Sequence, residues 1–371
     1  MWSAPLALWL SLWTGVWKMA PPHPPMNFPR SRSVNKPDSL NIEIMKPSHV
    51  LFRSIAAFGL AIGCILSASA APKKILVVTV TTGFRHDSIP TAERILGQLA
   101  TESGAFTVDF VRQPDVKIPG KPGAPRKPAD LKPDATDAAK EKYAADMKKF
   151  DAADAKYKVD LAKYEADAPR IKALQQDADS QLKQNLSQLA PDNLKNYDAV
   201  IFANTTGDLP LPDKQGFIDW VKAGHGFIAM HSGSDTFHEF RPYIEMLGGE
   251  FQTHGAQEKV ECLVQDSTHP ATRDFGKSWN INDKKEEMYI IKSYDKTTVH
   301  ELLTLDKHPN TKEPGHYAVS WCKQSGSGKV FYTSLGHNKY VWEMPEYQKH
   351  LLGGIKWALG LEPGDATPQA R

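Results

Sequence analysis

Histidine and carboxylate side chains recur in this sequence where apolar, strand-like runs end. The run at residues 227–230 (FIAM) is apolar throughout, yet His231 follows it directly. Neutral imidazoles and carboxylates act as general acids and bases on hydroxyl and carbonyl groups, and they are also ligands of zinc and similar divalent metals. No HExxH or HxH spacing is present, so the choice between these chemistries stays open and no cofactor is identified. The candidates for catalysis are His86, His231, His254, Glu287 and His337.

Further polar residues stand beside these candidates and predict the substrate contacts. We expect Asp87 to orient His86 and Ser232 to hydrogen-bond the substrate. Each residue also has a purely structural explanation; Ser232, for example, is a good helix N-cap. The argument for a site is that polar side chains recur at one end of several strands, whereas random placement would scatter them over both ends. The predicted substrate-binding residues are Asp87, Asn204, Ser232, Asp235 and Tyr289.

The elements that must position these residues alternate between strands and helices. The runs KILVVTVT, FTVDFV, DAVIFANT and FIAMH have the composition of buried strands, and helical stretches follow most of them. This alternation predicts a parallel sheet with helices on both faces, in which ligands bind at the carboxyl ends of the strands. From residue 258 onward, strand-like runs follow one another mostly without helices, which predicts antiparallel strands added to one edge of the sheet.

Residues 114–190 interrupt this alternation. Prolines recur at positions 119, 122, 125 and 128, a spacing that suits an extended polyproline II arm. A heptad pattern then predicts a helix, which Pro169 separates from a second one. We expect an antiparallel helical hairpin that projects from the domain, with a solvated charged face that could also contact a partner protein or a second subunit. The heptad positions are Tyr143, Met147, Phe150, Tyr157, Leu161 and Tyr164, with Asp154 in one position where an apolar residue is due.

The N-terminal region has the pattern of a targeting sequence. From Met45, a basic start, an apolar stretch and a small-residue cleavage site before Ala71 form a complete secretory signal at 45–70. The apolar stretch is shorter than the ~20 residues that a membrane span needs, so we expect no transmembrane span in the mature protein. Residues 1–44 fit no targeting pattern, and we interpret them as a mis-assigned extension. We therefore expect a periplasmic or secreted protein; a lipoprotein acylated at Cys64 is the alternative.

The bulk composition excludes several classes of function. Lys plus Arg number 45 against 43 Asp plus Glu, so the chain lacks the basic excess of a nucleic-acid-binding protein. No Walker loop or GxGxxG motif supports nucleotide binding. Cys262 and Cys322 are either free buried thiols or one disulfide. We expect one α/β domain at 71–362, interrupted by the insertion at 114–190, and a disordered tail at 363–371.

Several motifs together resemble the ThuA-like, or trehalose-utilisation, family: GFRHDSIP, GFIAMHSGSDTF, GGEFQTH, THPATRDF, EEMY and AVSWCKQSGSGKVFYTSLGH. The resemblance covers about residues 73–360 apart from the insertion. It implies a flavodoxin-like, class I glutamine amidotransferase-like three-layer sandwich, and a role in the metabolism of trehalose and related sugars or keto-sugars. Glu286 stands where the family more usually has aspartate, which leaves the role of Glu286 open.

The same resemblance implies a place for His231. Amidotransferases of this fold carry a cysteine nucleophile on a sharp turn between a strand and a helix, and His231 occupies that turn here. We therefore expect no cysteine amidotransferase activity. We expect the turn to direct the imidazole into a pocket and to leave backbone amides at a helix N-terminus, where they could bind an anion.

The leading hypothesis is an exported enzyme that acts on a sugar or keto-sugar by acid–base or metal-assisted chemistry, of the hydrolase, lyase or isomerase type. A carbohydrate-binding module without turnover is the first alternative. An interaction protein that works through the helical hairpin is the second. The sequence identifies neither the sugar nor a metal.

The signal sequence generates a prediction about processing. Cleavage should leave a mature chain that begins at Ala71, because small residues precede that position. Intact-mass measurement of periplasmic or secreted protein checks this expectation. A mature chain that retains residues before position 64 would contradict it.

Overall fold

The computed structural model describes residues 71–281 and 284–369. The predicted signal sequence and the extension before it, at 1–70, lie outside the described residues, so export stays a prediction. None of the helices within 71–281 and 284–369 combines the length and the apolar composition that a membrane span requires.

The described chain contains one large sheet and one small one. The strands are β1 (Lys73–Val78), β2 (Phe106–Val111), β3 (Ala199–Ala203), β4 (Gly226–Met230), β5 (Glu250–His254), β6 (Glu261–Val264), β7 (Ser278–Asn280), β8 (Tyr289–Lys292), β9 (His300–Lys307), β10 (Pro314–Ser325) and β11 (Gly328–Thr333). Nine of them form a sheet in the order β2-β1-β3-β4-β11-β10-β9-β6-β7. The first five are parallel neighbours, and the other four continue the sheet in antiparallel pairing. The predicted α/β class is therefore confirmed, with the antiparallel strands on one side.

Helices cover both faces of this sheet. They are α1 (Ile89–Ser103), α2 (Asp137–Ala166), α3 (Ala168–Leu186), α4 (Pro191–Leu194), α5 (Lys214–Lys222), α6 (Arg241–Leu247), α7 (Lys339–Trp342) and α8 (Pro345–Ala358). Successive side chains of a strand point to opposite faces, so Ile75 of β1 packs in one apolar cluster and Leu76 in the other. α1 and α8 contribute to the first cluster, and α5 and α6 contribute to the second. The result is three layers with the sheet in the middle.

Two of the predicted antiparallel strands behave differently from the others. β11 returns to the parallel half of the sheet and pairs with β4. β8 does not join the large sheet; it pairs with β5 in a separate antiparallel ribbon. Both strands of this ribbon are only partly buried, so they lack the two apolar faces that a strand inside a covered sheet needs.

The glycine pair in α8 is explained by close packing. A Cβ atom at Gly353 would lie 2.1 Å from the carbonyl oxygen of Pro270, and one at Gly354 would lie 2.4 Å from the Phe331 ring. Both distances are impossible for real atoms. The two glycines therefore let α8 approach the sheet, at a cost of about 1 kcal/mol each in helix propensity.

The insertion at 114–190 differs from the predicted helical hairpin. Only Asp167 separates α2 from α3, and α2 has no buried residue, whereas the seam of a packed helical hairpin would bury side chains of both helices. Instead, the second half of α3 docks on the sheet, where Leu182 and Leu186 are buried in the same cluster as β1 and β3. The segment is therefore not a separate appendage over its whole length, because its last part completes the core.

The Pro-rich arm and α2 have matching stripes of half-buried residues. Every heptad position predicted for α2 is half-buried, and so are the four prolines of the arm, whereas most residues between them are exposed. The Tyr143 hydroxyl lies 3.4 Å from the Asp130 carboxylate, which joins the end of the arm to the start of α2. The prolines span ~28 Å and the heptad positions ~32 Å, so the two stripes match in length.

The C-terminal tail and the cysteines correct two further expectations. The tail predicted to be disordered at 363–371 is docked on β9 and β10 as far as it is described: the Thr367 carbonyl lies 2.7 Å from His300 Nδ1, and the Gly364 carbonyl accepts from the Trp357 indole at 3.0 Å. Cys262 and Cys322 are both buried and both free, so the alternative of a disulfide between them is wrong.

Docking of α3 on the core generates a prediction about stability. Leu186→Ala should lower the free energy of unfolding by about 2–5 kcal/mol, because Leu186 is fully buried. Val159→Ala, in the exposed middle of α2, is the control and should change it by less than about 0.5 kcal/mol. Urea unfolding of both variants checks this, and equal stabilities would mean that α3 does not belong to the core.

Candidate functional site

His231 occupies a strained turn at the carboxyl end of β4. Its φ angle is 47°, in the left-handed region that costs a non-glycine residue about 1–3 kcal/mol. Its Nδ1 lies 2.8 Å from the Ser334 carbonyl and donates to it. Gly233 is needed two residues later, because a Cβ there would lie 2.9 Å from that of Ala229. The turn is sharp, as expected, but His231–Asp235 forms a short 3₁₀ turn, so the expected helix N-terminus for an anion is absent here.

Four side chains from separate parts of the chain converge beside this turn. His86 comes from the loop between β1 and α1, His231 follows β4, Glu287 precedes β8 and His337 follows β11. One ligating atom from each lies within 4.8 Å of all the others. We name these four residues the His/Glu cluster.

The spacing within the His/Glu cluster fits a common metal ion. The Nε2 atoms of His86 and His231 are 3.2 Å apart, and Glu287 Oε1 lies 3.3 Å from His337 Nδ1 and 3.7 Å from His231 Nε2. Four ligands ~2.1 Å from a central ion would be ~3.4 Å apart in a tetrahedron. His337 Nδ1 faces the Glu287 carboxylate, which raises the pKa of His337 against the effect of burial. A bound ion would take the place of the proton between these two groups.

Two of the three imidazoles in the cluster, His86 and His231, have the neutral state that metal binding requires. Burial, together with the charge of the neighbouring His337, lowers the pKa of His86 to about 4. Burial lowers the pKa of His231 well below its usual value, and the neighbouring His86 lowers it further. Both rings are therefore neutral at physiological pH. Three histidines and one carboxylate suit zinc, manganese, iron or nickel as the divalent ion.

Two buried residues tie together the loops that carry the His/Glu cluster. Glu286 Oε1 accepts from the backbone amides of Gly336 and His337 at 3.0 and 2.7 Å, and Oε2 accepts from Asn338 at 2.8 Å. Burial raises the pKa of Glu286 to about 7, against the effect of these hydrogen bonds. The Asn204 side-chain amide donates to Ser88 Oγ and to the Gly336 carbonyl, each at 3.0 Å. The loops after β1, β3 and β11 are thus held against one another.

Three further predicted residues line the cluster. The Tyr289 hydroxyl lies 3.0 Å from His231 Nε2, and burial raises the pKa of Tyr289 well above its usual value, so the hydroxyl stays protonated. His254 Nδ1 lies 3.1 Å from Glu287 Oε2 and 3.0 Å from the Gly255 carbonyl. Ser232 Oγ lies 3.3 Å from His86 Nδ1, so Ser232 rather than Asp87 orients that ring.

The remaining predicted substrate contacts have other partners. The Asp87 carboxylate is exposed and pairs with Lys339 at 2.9 Å. Asp235 pairs with His238 at 2.7 Å, and His238 also contacts Glu250 at 2.6 Å. Asn204 is fully buried, so it positions loops rather than facing solvent. In sum, the structure brings together all five residues predicted to be catalytic, but only Ser232 and Tyr289 among the predicted substrate contacts touch the cluster.

Sequence comparison identifies the family. The ThuA family, described as trehalose utilisation, matches residues 150–358, which is more than half of the chain. The chain belongs to the ThuA family. A solved ThuA-like protein from Parabacteroides merdae is similar in fold, at 17% identity and a TM-score of 0.50, over 78% of this chain and 90% of that one. A second, from Bacteroides uniformis, has 15% identity and a TM-score of 0.48, over 78% of this chain and 93% of that one. No curated protein matches the chain.

Sequence reasoning missed some of the residues that build the site. The role of Glu286, left open by the sequence, is structural: it is buried beside Glu287, at 0% exposure against 7% for Glu287. The polar segment Gly336, His337 and Asn338 was a usable signal, because the amides of such a loop need an acceptor when they are buried. The Ser334 carbonyl could not be found from side-chain types, since every residue carries one.

The Glu286 contacts generate a prediction about the loop after β11. Glu286→Ala leaves two buried backbone amides without an acceptor and should lower the free energy of unfolding by about 2–4 kcal/mol. Glu286→Gln keeps one carbonyl oxygen for those amides and should lower it by less than half as much. Urea unfolding in the presence of a chelator separates this effect from metal binding. Equal losses in the two variants would show that charge, not hydrogen bonding, is what the loop requires.

Proposed function

We propose that this protein is a divalent-metal enzyme that acts on a sugar or keto-sugar. The observation that carries the proposal is the convergence of His86, His231, Glu287 and His337, each with a ligating atom within 4.8 Å of the others. Structural ion pairs would not require three histidines to face one another. A shared metal ion explains why they do.

The residues around the cluster support acid–base chemistry on hydroxyl and carbonyl groups. A bound divalent ion supplies Lewis acidity to a carbonyl or hydroxyl oxygen. The Tyr289 hydroxyl, protonated and 3.0 Å from His231 Nε2, can donate a proton or a hydrogen bond to a substrate oxygen. His254 Nδ1 faces two oxygens as a donor, so Nε2 is the ring nitrogen that can exchange a proton with a substrate. The 44% exposure of the His254 side chain lets that proton exchange with solvent.

Membership of the ThuA family supports a carbohydrate as substrate, because the family is described by trehalose utilisation. We further assign the fold to the flavodoxin-like, class I glutamine amidotransferase-like group. Cysteine chemistry of the amidotransferase type has no support in the described residues: burial raises the pKa of Cys262 to about 12 and that of Cys322 well above its usual value, and neither belongs to the His/Glu cluster. The signal-like segment at 45–70 supports export as part of the same proposal.

The proposal predicts that metal binding depends on the His/Glu cluster. The purified protein should bind about one equivalent of a divalent ion and melt at a higher temperature with the ion than after chelation. His86→Ala and Glu287→Gln should each weaken metal affinity at least ~10-fold, because each removes a ligand. Elemental analysis and thermal unfolding measure both effects.

His225→Ala is the matched control, since His225 lies before β4 at the opposite end of the strand from His231 and contacts only that end of the fold through Trp220. Metal binding that is equal in His86→Ala, His225→Ala and the wild type would overturn the metal assignment. Turnover is sought among glycosides and 3-keto-glycosides, with the metal-loaded and chelated protein compared. Sugar binding without turnover by the loaded protein would favour a carbohydrate-binding module instead.

A further inference from the structure

Phe84 stands out because its ring is exposed beside the buried His/Glu cluster. It is 68% exposed and is the one exposed aromatic side chain among residues 71–281 and 284–369. The ring packs edge-on to His86, with centroids 4.9 Å apart and planes at 81°. His86 is itself buried. Most of the Phe84 ring therefore lies open to solvent next to a member of the cluster.

The loop that carries Phe84 is fixed by its backbone. The Phe84 carbonyl accepts from Thr206 Oγ1 at 2.8 Å, and the Thr82 amide donates to the Thr206 carbonyl at 2.9 Å. The Arg85 guanidinium donates to the Thr79 carbonyl at 2.8 Å. These contacts hold the residues on both sides of Phe84, so its exposure is set by the fold.

The charges at the rim favour a neutral ligand. Asp87 and Lys339 pair with each other at 2.9 Å, beside Phe84 and His86. The Arg85 guanidinium donates to the Thr79 carbonyl and interacts with the charge of Glu93. A sugar phosphate or an acidic sugar would have to compete with these acidic neighbours for either cation, whereas a neutral sugar would not.

We propose that Phe84 is the platform on which the apolar face of a neutral pyranose ring stacks, so that the hydroxyl or carbonyl groups at the edge of that ring reach the His/Glu cluster. The inference rests on the proposed function and names its substrate class. A pyranose has one face rich in C–H groups, which packs on an aromatic ring at 3.5–4.0 Å between carbon atoms. Its oxygens project from the edge, toward His86 on the inner side of the stacked ring. An open-chain polyol has the same hydroxyl groups but no such face, so it gains nothing from Phe84.

Three variants test the platform. Phe84→Ala and Phe84→Leu should each weaken binding of methyl glucopyranoside and trehalose about 3- to 10-fold, because leucine keeps apolar area but lacks a flat face. Phe84→Trp should bind at least as tightly as the wild type. Binding of open-chain glucitol should be the same in all four proteins. Leu131→Ala, an exposed leucine in the insertion, is the control and should change none of these affinities.

Calorimetric titration of metal-loaded protein gives the affinities, and elemental analysis of the same samples gives the metal content. Full metal content with unchanged pyranoside affinity in Phe84→Ala would overturn the platform while leaving the metal site intact. If Phe84→Leu kept the wild-type affinity while Phe84→Ala lost it, the contact would be a nonspecific apolar one. That result would also overturn the stacking platform. A wild type that binds metal but none of the sugars would overturn the sugar assignment itself, and with it the platform.

Discussion

The parallel pairing of β4 with β11 is the constraint on which the site depends. Met230 is opposite Thr333 in this register, so the next residues on each strand, His231 and Ser334, meet at the edge of the sheet. The carbonyl of Ser334 then fixes the His231 ring, and the chain continues from β11 into the loop of His337. A slip of one residue would turn every side chain of β11 to the other face and remove both contacts. The geometry of the site therefore depends on the register between β4 and β11 as much as on the individual side chains.

The buried polar groups around this edge fix the loops of the site, but each of them destabilises the fold if it is left without a hydrogen-bond partner. An unpaired buried polar group loses about 1–3 kcal/mol, so a half-satisfied network would destabilise the fold. Here Glu286 accepts from donors 50 to 52 residues away in sequence. Asn204 donates to acceptors 116 and 132 residues away. These ties, together with the left-handed backbone at His231, hold three imidazoles at a fixed separation. Preorganisation of this kind is what a metal site requires, since the ligands need not move to meet an ion.

The sequence predicted the part of the site that strand ends determine. His86, His231 and His337 each follow a strand that becomes a parallel neighbour in the sheet, and the rule on carboxyl ends brought them together. The rule fails for Asp235 and Asp87, because a nearby cation in each case offers a short-range partner that sequence position does not reveal. Periodicity was also incomplete for the insertion: the heptad pattern identified the half-buried face of α2, but not that the end of α3 docks on the core. Periodicity specifies which side of an element is buried, whereas the identity of what lies on that side depends on the rest of the chain.

The length of α2 makes the position of its far end sensitive to the backbone angle at its junction with α3. A helix of 30 residues extends ~45 Å, and no residue of α2 is buried, so the Asp167 junction is the main determinant of its orientation. A bend of ~10° at that junction would carry the far end ~8 Å, by the geometry of a straight rod of this length. The same bend would leave the cluster of leucines at the other end of α3 in place. A small change of backbone angle at Asp167 therefore becomes a large displacement at the far end of α2.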